Sequence, residues 1–353
     1  MTIPGTHDSP ARTTIPFTKT QNLTITQQLA LGIRFFDLRL RLHKDGRLYC
    51  YHGGIPLGWP RTLSFESVMD EIWDFLNPPS AENEPTETVL ISINNDNNSR
   101  GIGNAPAIFY NAIGAAIIST PPYPDGTSRW VVETVTSRLG DVRGRAVLLR
   151  RYPGHPAIKP ALRHGLDLSA WVNDSPDFTI VTPTGVVVRL QDKWKYSERI
   201  GLRDLVASKS AYVEAMFQRA MSSRPSTPSG SDSDPDSDSD SDASVDDFVL
   251  VRPRHDATRT SPSNRGEVWF VNFCSAVGEP MEHGEVAQAR WVAVGGYSNA
   301  GEWIDGVNVS IGDYLRKQGA GGAGKRRLGI VPMDYPELPQ GNDLVSQLIE
   351  TNF

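Results

Sequence analysis

The chain has 353 residues, long enough for one large domain such as a β/α barrel, and its composition allows a full hydrophobic core. Its formal net charge is −6, but residues 225–247 hold eight aspartates and no lysine or arginine; without these eight charges the net charge is +2. These values argue against a strongly basic nucleic-acid-binding protein. Two cysteines, Cys50 and Cys274, are too few for a disulfide scaffold and are expected to be buried thiols.

Short, β-rich apolar runs recur along the chain and predict buried parallel strands. The runs are 32–41, 48–51, 88–93, 146–150, 186–190, 268–273 and 328–331. Between them, apolar residues at three- and four-residue spacing predict helices. The helical segments are 63–76, 104–118, 202–221 and 308–317. Seven or eight such units predict an α/β fold, a single TIM-like (β/α)8 barrel of irregular form.

Residues 222–266 interrupt this pattern. Serine, proline and aspartate dominate the segment, and such a composition cannot form a packed core. We predict a disordered acidic insertion within one barrel domain that spans 1–353. A solvated spacer is the favoured interpretation, and a segment regulated by phosphorylation is the alternative, because several serines precede acidic residues.

Residues able to carry chemistry cluster in three N-terminal segments. IPGTHDS brings His7 and Asp8 together after a strand-like start. In FFDLRL, the two-residue period of a strand places Asp37 and Arg39 on the same face. Opposite charges on the inner face of a barrel are costly unless they are paired, which favours a site over an accident. His52 follows the next β-like stretch.

Two histidines, an arginine and carboxylates form the set needed to cleave a phosphodiester by attack of an internal hydroxyl. A neutral imidazole can take the proton of the hydroxyl, and a protonated imidazole can give one to the leaving oxygen. A guanidinium can hold the phosphate through its fork of N–H donors. Carboxylates beside the imidazoles fix their tautomers and raise the pKa of the acid.

The motifs IPGTHDS (3–9), GIRFFDLRLR (32–41) and YHG (51–53), in this order, resemble the X domain of phosphatidylinositol-specific phospholipase C, bacterial type. Four later segments are similar to that family but are weaker matches: 144–154, 190–194, 272–276 and 329–335. The resemblance covers almost the whole chain outside 222–266. It implies a phosphoric diester hydrolase or lyase that converts phosphatidylinositol, or its glycosyl derivatives, to cyclic inositol phosphate and diacylglycerol without a cofactor.

The resemblance also implies roles for individual residues. His7 is similar to the general base, with Asp334 as its partner, and His52 is similar to the general acid, supported by Asp8. Arg39 is similar to the phosphate-binding arginine. Asp37 is similar to a buried partner that orients the cluster, although a purely structural ion pair is an equal interpretation. The residues similar to inositol contacts are Arg151, Asp192, Trp194 and Asn94.

Several of these positions leave alternatives or depart from the family. Arg150 and Arg151 point opposite ways on a strand, so only one can enter the site, and the family match favours Arg151. Trp194 stands where the bacterial enzymes usually have a tyrosine under the inositol ring, and it keeps an aromatic face. Asn94 stands where they have a lysine and where the calcium-dependent enzymes have a glutamate. Neither Asn94 nor Arg39 suits a calcium site, so we predict no metal.

Three functions are weighed. The favoured one is a metal-independent phosphodiesterase of this family. A non-catalytic inositol-lipid-binding barrel would be expected to lack one histidine or Arg39, and none is missing. A metal-dependent barrel phosphodiesterase acting on another phospholipid would need paired acidic ligands near the first histidine, where the chain has Arg39.

The expected partner is a phosphatidylinositol-type lipid at a membrane surface, bound peripherally by a monomer, with no nucleic acid. No apolar run approaches the ~18 residues of a membrane span, and no signal segment is visible at the start of the chain. Peripheral membrane and secreted locations both fit. A barrel of net charge +2 can approach an anionic surface, which the tract of eight aspartates would oppose if it lay near the barrel mouth.

Overall fold

A mostly parallel β-sheet with helices on its outer side forms the framework of the computed structural model. The structure describes residues 1–13, 15, 18–58, 60–77, 86–96, 106–134, 138–196, 200–223, 250–251, 268–278, 288–298, 300–319 and 325–353. The strands are β1 (Thr2–Thr6), β2 (Phe35–Leu42), β3 (Leu48–His52), β4 (Ile55–Pro56), β5 (Val89–Asn95), β6 (Trp130–Val131), β7 (Ala146–Arg150), β8 (Leu166–Asp167), β9 (Phe178–Val181), β10 (Val187–Gln191), β11 (Lys195–Tyr196), β12 (Leu250–Val251), β13 (Val268–Asn272), β14 (Val277–Gly278), β15 (Gly295–Tyr297), β16 (Trp303–Asp305) and β17 (Gly329–Met333). The helices are α1 (Ile25–Leu31), α2 (Phe65–Leu76), α3 (Pro106–Ser119), α4 (Leu202–Ser222), α5 (Ala289–Val294), α6 (Val307–Gly319) and α7 (Leu344–Glu350).

The sheet follows the order β10, β13, β17, β1, β2, β5 and β7, and all neighbours in this series are parallel. β6 and β8 pair with β7 in parallel, and β9 pairs with β10 in antiparallel. The β1–β17 ladder pairs Thr2 with Gly329 and Thr6 with Met333, which joins the two ends of the chain. The barrel is incomplete, because in the described part of the chain no ladder connects β8 with β9 or β10.

Side chains alternate between the inside of the barrel and the helix layer, as the two-residue period of a strand requires. In β2, Phe35 belongs to the inner apolar cluster, whereas Phe36 and Leu38 pack on the helix side. Other members of the inner cluster are Leu90, Leu149, Leu190, Val271, Phe273 and Ile330. The same alternation leaves Asp37 and Arg39 on the inner face of β2.

Buried glutamines fix the segment that follows β1. Gln28 of α1 accepts a hydrogen bond from Thr6 Oγ1 at 2.7 Å and donates one to the Ser9 carbonyl at 2.9 Å. Gln21 Nε2 donates to the carbonyl of His7, also at 2.9 Å. The backbone of His7 and Ser9 is therefore held in place before any ligand binds.

The predicted strands and helices coincide with observed elements to within three residues at each end. The strand predicted over 32–41 is β2, which begins only at Phe35, because Gly32 ends α1 in the left-handed region with a φ of 109°. Not predicted were α1, α5, α7 and most of the short strands. Of residues 222–266 the structure describes only the end of α4 and β12, so the predicted acidic insertion otherwise lies outside the described residues.

Two smaller expectations concern the cysteines and the membrane. Cys50 and Cys274 are both free and buried, as expected. Among the described helices, none is both long enough and apolar enough to cross a bilayer.

Candidate active site

The C-terminal ends of the parallel strands gather the charged residues that the sequence points to. They are His7 and Asp8 after β1, Asp334 after β17, Arg151 after β7 and Asp192 after β10. Arg39 lies within β2, and His52 is the last residue of β3. Since the carboxyl ends of parallel strands meet at one edge of a barrel, chain segments hundreds of residues apart meet there.

His7 lies between two carboxylates. Its Nδ1 is 2.9 Å from Asp334 Oδ1, and its Nε2 is 3.0 Å from Asp8 Oδ2. An ionised carboxylate only accepts hydrogen bonds, so an imidazole that binds both must carry a proton on each nitrogen. Burial alone would lower the pKa of His7, but Asp8 and Asp334 outweigh burial and raise it to about 10. His7 is therefore cationic at neutral pH in this arrangement.

Asp8 lies at the centre of the cluster and contacts three groups that can be cationic. Its Oδ2 is 3.0 Å from His7 Nε2 and 3.2 Å from His52 Nε2, and its Oδ1 is 2.7 Å from Arg39 Nε. Burial would raise the pKa of Asp8, but these three neighbours, Arg39 foremost, hold it well below its usual range. Asp8 also has a φ of 42°, a strained conformation of the kind that clusters at functional sites.

The ring of His52 is fixed by a backbone carbonyl. Its Nδ1 lies 2.8 Å from the carbonyl oxygen of Thr18. Because a carbonyl can only accept, Nδ1 carries a proton, and Nε2 is the nitrogen that gains or loses the exchangeable proton. That Nε2 faces Asp8, so a protonated His52 donates to the Asp8 carboxylate.

Arg39 brings a permanent positive charge to His7 and Asp8. One of its terminal nitrogens, Nη2, lies 3.3 Å from His7 Nε2, while Nε binds Asp8. The side chain as a whole is 28% exposed. Burial would lower the pKa of Arg39, but Asp8 and Asp37 raise it, which keeps the group charged.

A second group of side chains lies beside the first. Arg151 Nη1 binds Asp37 Oδ1 at 2.9 Å, and its guanidinium lies 3.8 Å from the centre of the Trp171 ring. Trp171 Nε1 in turn donates to Asp192 Oδ2 at 2.7 Å. Burial raises the pKa of Asp192, although Arg151 and Trp171 oppose the shift. A salt bridge, a stacked cation and a hydrogen bond thus link Asp37 to Asp192.

The other sequence-derived residues are placed less centrally. Asn94 is half-buried and is the register partner of Arg39 in the neighbouring strand. Trp194 is half-buried, and its Nε1 donates to Asn173 at 3.1 Å. Arg150 points away from the cluster and is completely buried, where it pairs with Asp167 at 2.5 Å.

Sequence reasoning missed Trp171 and the carbonyl of Thr18 at this edge of the barrel, and it gave Phe273 no role of its own. Phe273 is buried, and its ring packs edge-on against His7 with a centroid distance of 5.9 Å. No short motif marks Trp171 or Thr18, because each acts through a contact with a residue far along the chain. The segment NFCSA did point to Phe273, but only as part of a resemblance.

Three side chains meet the geometric requirement for a bound cation. One ligand atom each of His7, Asp8 and Asp37 lies within 4.8 Å of the others. Both carboxylates already have cationic partners, however, because Asp8 binds Arg39 and Asp37 binds Arg151. A divalent cation would have to compete with two guanidinium groups, so the residues fit a metal poorly.

The fold and this edge define a parallel α/β barrel with an acid–base cluster of histidine, aspartate and arginine. Residues 2–152 match the model of the phosphatidylinositol-specific phospholipase C X domain. Among curated proteins, the chain is 29% identical over 178 residues to the 1-phosphatidylinositol phosphodiesterase of Listeria monocytogenes, covering 48% of this chain and 50% of that protein. It is 24% identical over 215 residues to the Staphylococcus aureus protein of the same name, covering 58% and 64%.

Solved structures of two bacterial proteins share the fold of this chain. Phosphatidylinositol-specific phospholipase C from Staphylococcus aureus matches with a TM-score of 0.63 at 19% identity, over 99% of this chain and 92% of that one. The Listeria monocytogenes enzyme matches with a TM-score of 0.58 at 20% identity, over 100% and 93%. The predicted irregular TIM-like barrel is confirmed. The predicted resemblance to the bacterial type of this X-domain family is confirmed as well. The sequence matches span half of the curated Listeria relative and less than two thirds of the Staphylococcus one.

Proposed function

We propose that this protein is a metal-independent phosphodiesterase that cleaves phosphatidylinositol or its glycosyl derivatives. In this reaction the inositol 2-hydroxyl attacks the phosphorus, and the products are a cyclic inositol phosphate and diacylglycerol. The observation that carries the proposal is the convergence of His7 Nε2, His52 Nε2 and Arg39 on Asp8, within 3.2 Å. The names of the two bacterial relatives support the substrate class.

His7 would act as the general base. The Asp334 carboxylate accepts from Nδ1, which fixes the tautomer and leaves Nε2 to face the substrate. In the free protein that Nε2 is protonated and bound to Asp8, so the base is generated only when the substrate hydroxyl displaces Asp8 and His7 releases its Nε2 proton to the solvent. The lone pair on Nε2 then removes the proton of the 2-hydroxyl as the new O–P bond forms.

His52 would act as the general acid. The Thr18 carbonyl holds its ring, and Asp8 stabilises the imidazolium. As the bond between phosphorus and the diacylglycerol oxygen breaks, Nε2 gives its proton to that oxygen. One proton thus enters His7 and one leaves His52, and the two histidines must exchange these states before the next turnover.

Arg39 would bind the phosphate and stabilise the charge that develops on its oxygens. Its guanidinium lies beside the His7 imidazole and binds Asp8, which also contacts His52, so it places a cation where an in-line displacement needs one. Asp37 would support this centre through Arg151, with which it forms a buried ion pair. This assignment gives Arg39 the electrostatic task that a metal ion performs in other phosphodiesterases.

The inositol ring would lie across the second group of side chains. Arg151 and Asp192 offer a donor and an acceptor for ring hydroxyls, and Trp171 holds the two side chains together. Trp194 would stack against the ring, and Asn94 would contribute an uncharged hydrogen bond. The lipid part would remain in the membrane, so we propose that the protein binds the surface peripherally and works as a monomer.

The test is turnover of phosphatidylinositol vesicles by the wild type and by histidine variants. His7→Ala and His52→Ala should each lower kcat by about 10²- to 10⁴-fold, the range for loss of a general acid or base. His155→Ala is the matched control, because its ring packs on Tyr110 outside the cluster. Near-normal turnover in either site variant would remove the assignment, and an inactive wild type would favour an inositol-lipid-binding barrel.

A further inference from the structure

Lys209 of α4 is a completely buried lysine that the proposed mechanism does not use. Its side chain is 0% exposed, and its Nζ donates to the Lys193 carbonyl at 2.6 Å and to Gln191 Oε1 at 3.0 Å. In the part of the chain that the structure describes, no carboxylate forms an ion pair with it. A buried ammonium held only by neutral acceptors costs free energy, so an ordinary packing role would be better served by an apolar side chain.

The two acceptors of Lys209 flank Asp192 in the sequence. Gln191 Oε1 also accepts from the backbone N–H of Lys193 at 2.7 Å. Three hydrogen bonds therefore connect Lys209, Gln191 and Lys193 around the residue between them. The chain turns at this point from β10 into the following loop, and Asp192 is carried at the turn.

Gln191 extends this network to the neighbouring strand. Its Nε2 donates to the Phe273 carbonyl at 2.7 Å and to Asn272 Oδ1 at 2.9 Å. Asn272 Nδ2 returns to α4 by donating to the Val213 carbonyl at 2.9 Å. This buried junction joins α4 to the ends of β10 and β13. Lys209 contributes its ammonium group to the junction, whereas Lys193 contributes only backbone groups and its ammonium pairs with Asp174.

Both strand ends lead directly to the site. Asp192 is bound to Trp171, whose ring carries the Arg151 guanidinium, and Phe273 packs edge-on against His7. A shift of the junction would thus move the hydroxyl-binding carboxylate and the ring that supports the base together.

The charge of Lys209 acts on the same carboxylate. Burial lowers the pKa of Lys209 to about 8, although Cys274 and Asp192 oppose the shift. Lys209 is therefore mostly charged at neutral pH. Its positive field in turn favours the ionised form of Asp192, whose pKa burial raises.

We propose that Lys209 is a positioning residue that orients Asp192 and keeps it ionised to accept a hydrogen bond from an inositol hydroxyl. The inference rests on the proposed function, because it assigns Asp192 to the substrate ring. Lys209 acts through Asp192 and the junction, and it does not touch the substrate.

A double-mutant cycle tests this coupling. With monomeric short-chain phosphatidylinositol as the substrate, Lys209→Met should lower kcat/KM about 10- to 100-fold, the size expected for losing a hydrogen bond from a charged group. In an Asp192→Asn background the same change should have an effect of less than about threefold, because its target is gone. Multiplicative effects would overturn the proposal, as would wild-type kcat/KM in Lys209→Met.

A second readout does not depend on activity. The Trp171 indole N–H donates to Asp192, so its ¹H–¹⁵N resonance should move in Lys209→Met and stay in place in the control Ser210→Ala, the neighbouring buried residue. If Lys209→Met does not fold, Lys209→Gln keeps a donor and should show smaller changes in the same direction. A folded Lys209→Gln with wild-type kinetics and a wild-type Trp171 resonance would refute the role. An inactive wild type whose Trp171 resonance still responds would refute the proposed reaction and leave the positioning of Asp192 supported.

Discussion

Replacement of Asp8 by asparagine removes a carboxylate that contacts His7, His52 and Arg39. The side chain keeps nearly the same shape, so the change is chiefly one of charge. In this variant His7 Nε2 loses an anionic acceptor at 3.0 Å, whereas His7 Nδ1 keeps Asp334 at 2.9 Å. The protonated form of His7 should therefore become less stable, and its pKa should fall.

The size of this fall can be worked out from Coulomb's law. Two unit charges about 4 Å apart interact by roughly 4 kcal/mol at an effective dielectric constant of about 20, which corresponds to about three pKa units. Although burial alone would lower the pKa of His7, its contacts with Asp8 and Asp334 raise it to about 10. In Asp8→Asn this pKa should therefore fall to about 7. The asparagine amide cannot replace the lost charge.

The assay is an NMR titration of the His7 ring resonances in the wild type and in Asp8→Asn. Asp313→Asn is the matched control, since Asp313 is an exposed residue of α6 paired with Arg316. Melting temperatures at pH 7 verify that both variants are folded. A wild-type His7 that titrates near its ordinary value of about 6.5, or a shift below half a unit in Asp8→Asn, would refute the electrostatic account of the cluster.

Three further predictions follow from the same contacts. Arg150→Met and Arg151→Met should each lower stability by about 3–5 kcal/mol, because each leaves a buried ion pair broken, but only Arg151→Met should also lower kcat/KM of the folded protein; chemical denaturation and kinetics measure the two effects separately. Because the pKa of His7 is raised on folding, its contribution to stability is complete below about pH 6.5 and is lost as the pH rises towards 10; His7→Gln should flatten this part of the stability profile measured by urea denaturation. Trp194→Ala should raise KM several-fold and Trp194→Phe much less, if an aromatic face under the ring is what matters; equal effects would contradict stacking.

The fold was largely predictable because its information is local. Buried parallel strands are short, β-branched apolar runs, and the helices between them show a clear apolar face, as in α2. Elements of two or three residues, such as β8 and β15, were not predicted because their strand pairing depends on neighbours from other parts of the chain. Gly32 caps α1, so β2 begins only at Phe35, three residues after the strand start that the apolar pattern predicts.

The candidate site was predictable where strand geometry decides it. The two-residue period placed Asp37 and Arg39 on one face and set Arg151 apart from Arg150, and these positions agree with the observed contacts. The central position of Asp8, between both histidines, was not predictable, because it depends on a left-handed backbone at a residue other than glycine. Trp171 and Lys209 were not predicted for a related reason. Trp171 binds Asp192, which lies 21 positions away in the sequence, and Lys209 binds Lys193, which lies 16 positions away.

The central claim is that this protein cleaves phosphatidylinositol by internal attack without a metal ion. Phosphorus NMR of phosphatidylinositol vesicles incubated with the protein in excess chelator tests it most directly, because the five-membered cyclic phosphate has a resonance distinct from both substrate and open-chain phosphate. The account predicts that the cyclic inositol phosphate accumulates at the same rate with and without chelator, and that His7→Ala and His52→Ala each slow this accumulation about 10²- to 10⁴-fold. Loss of the product in chelator, or an open-chain phosphate as the first product, would contradict the account.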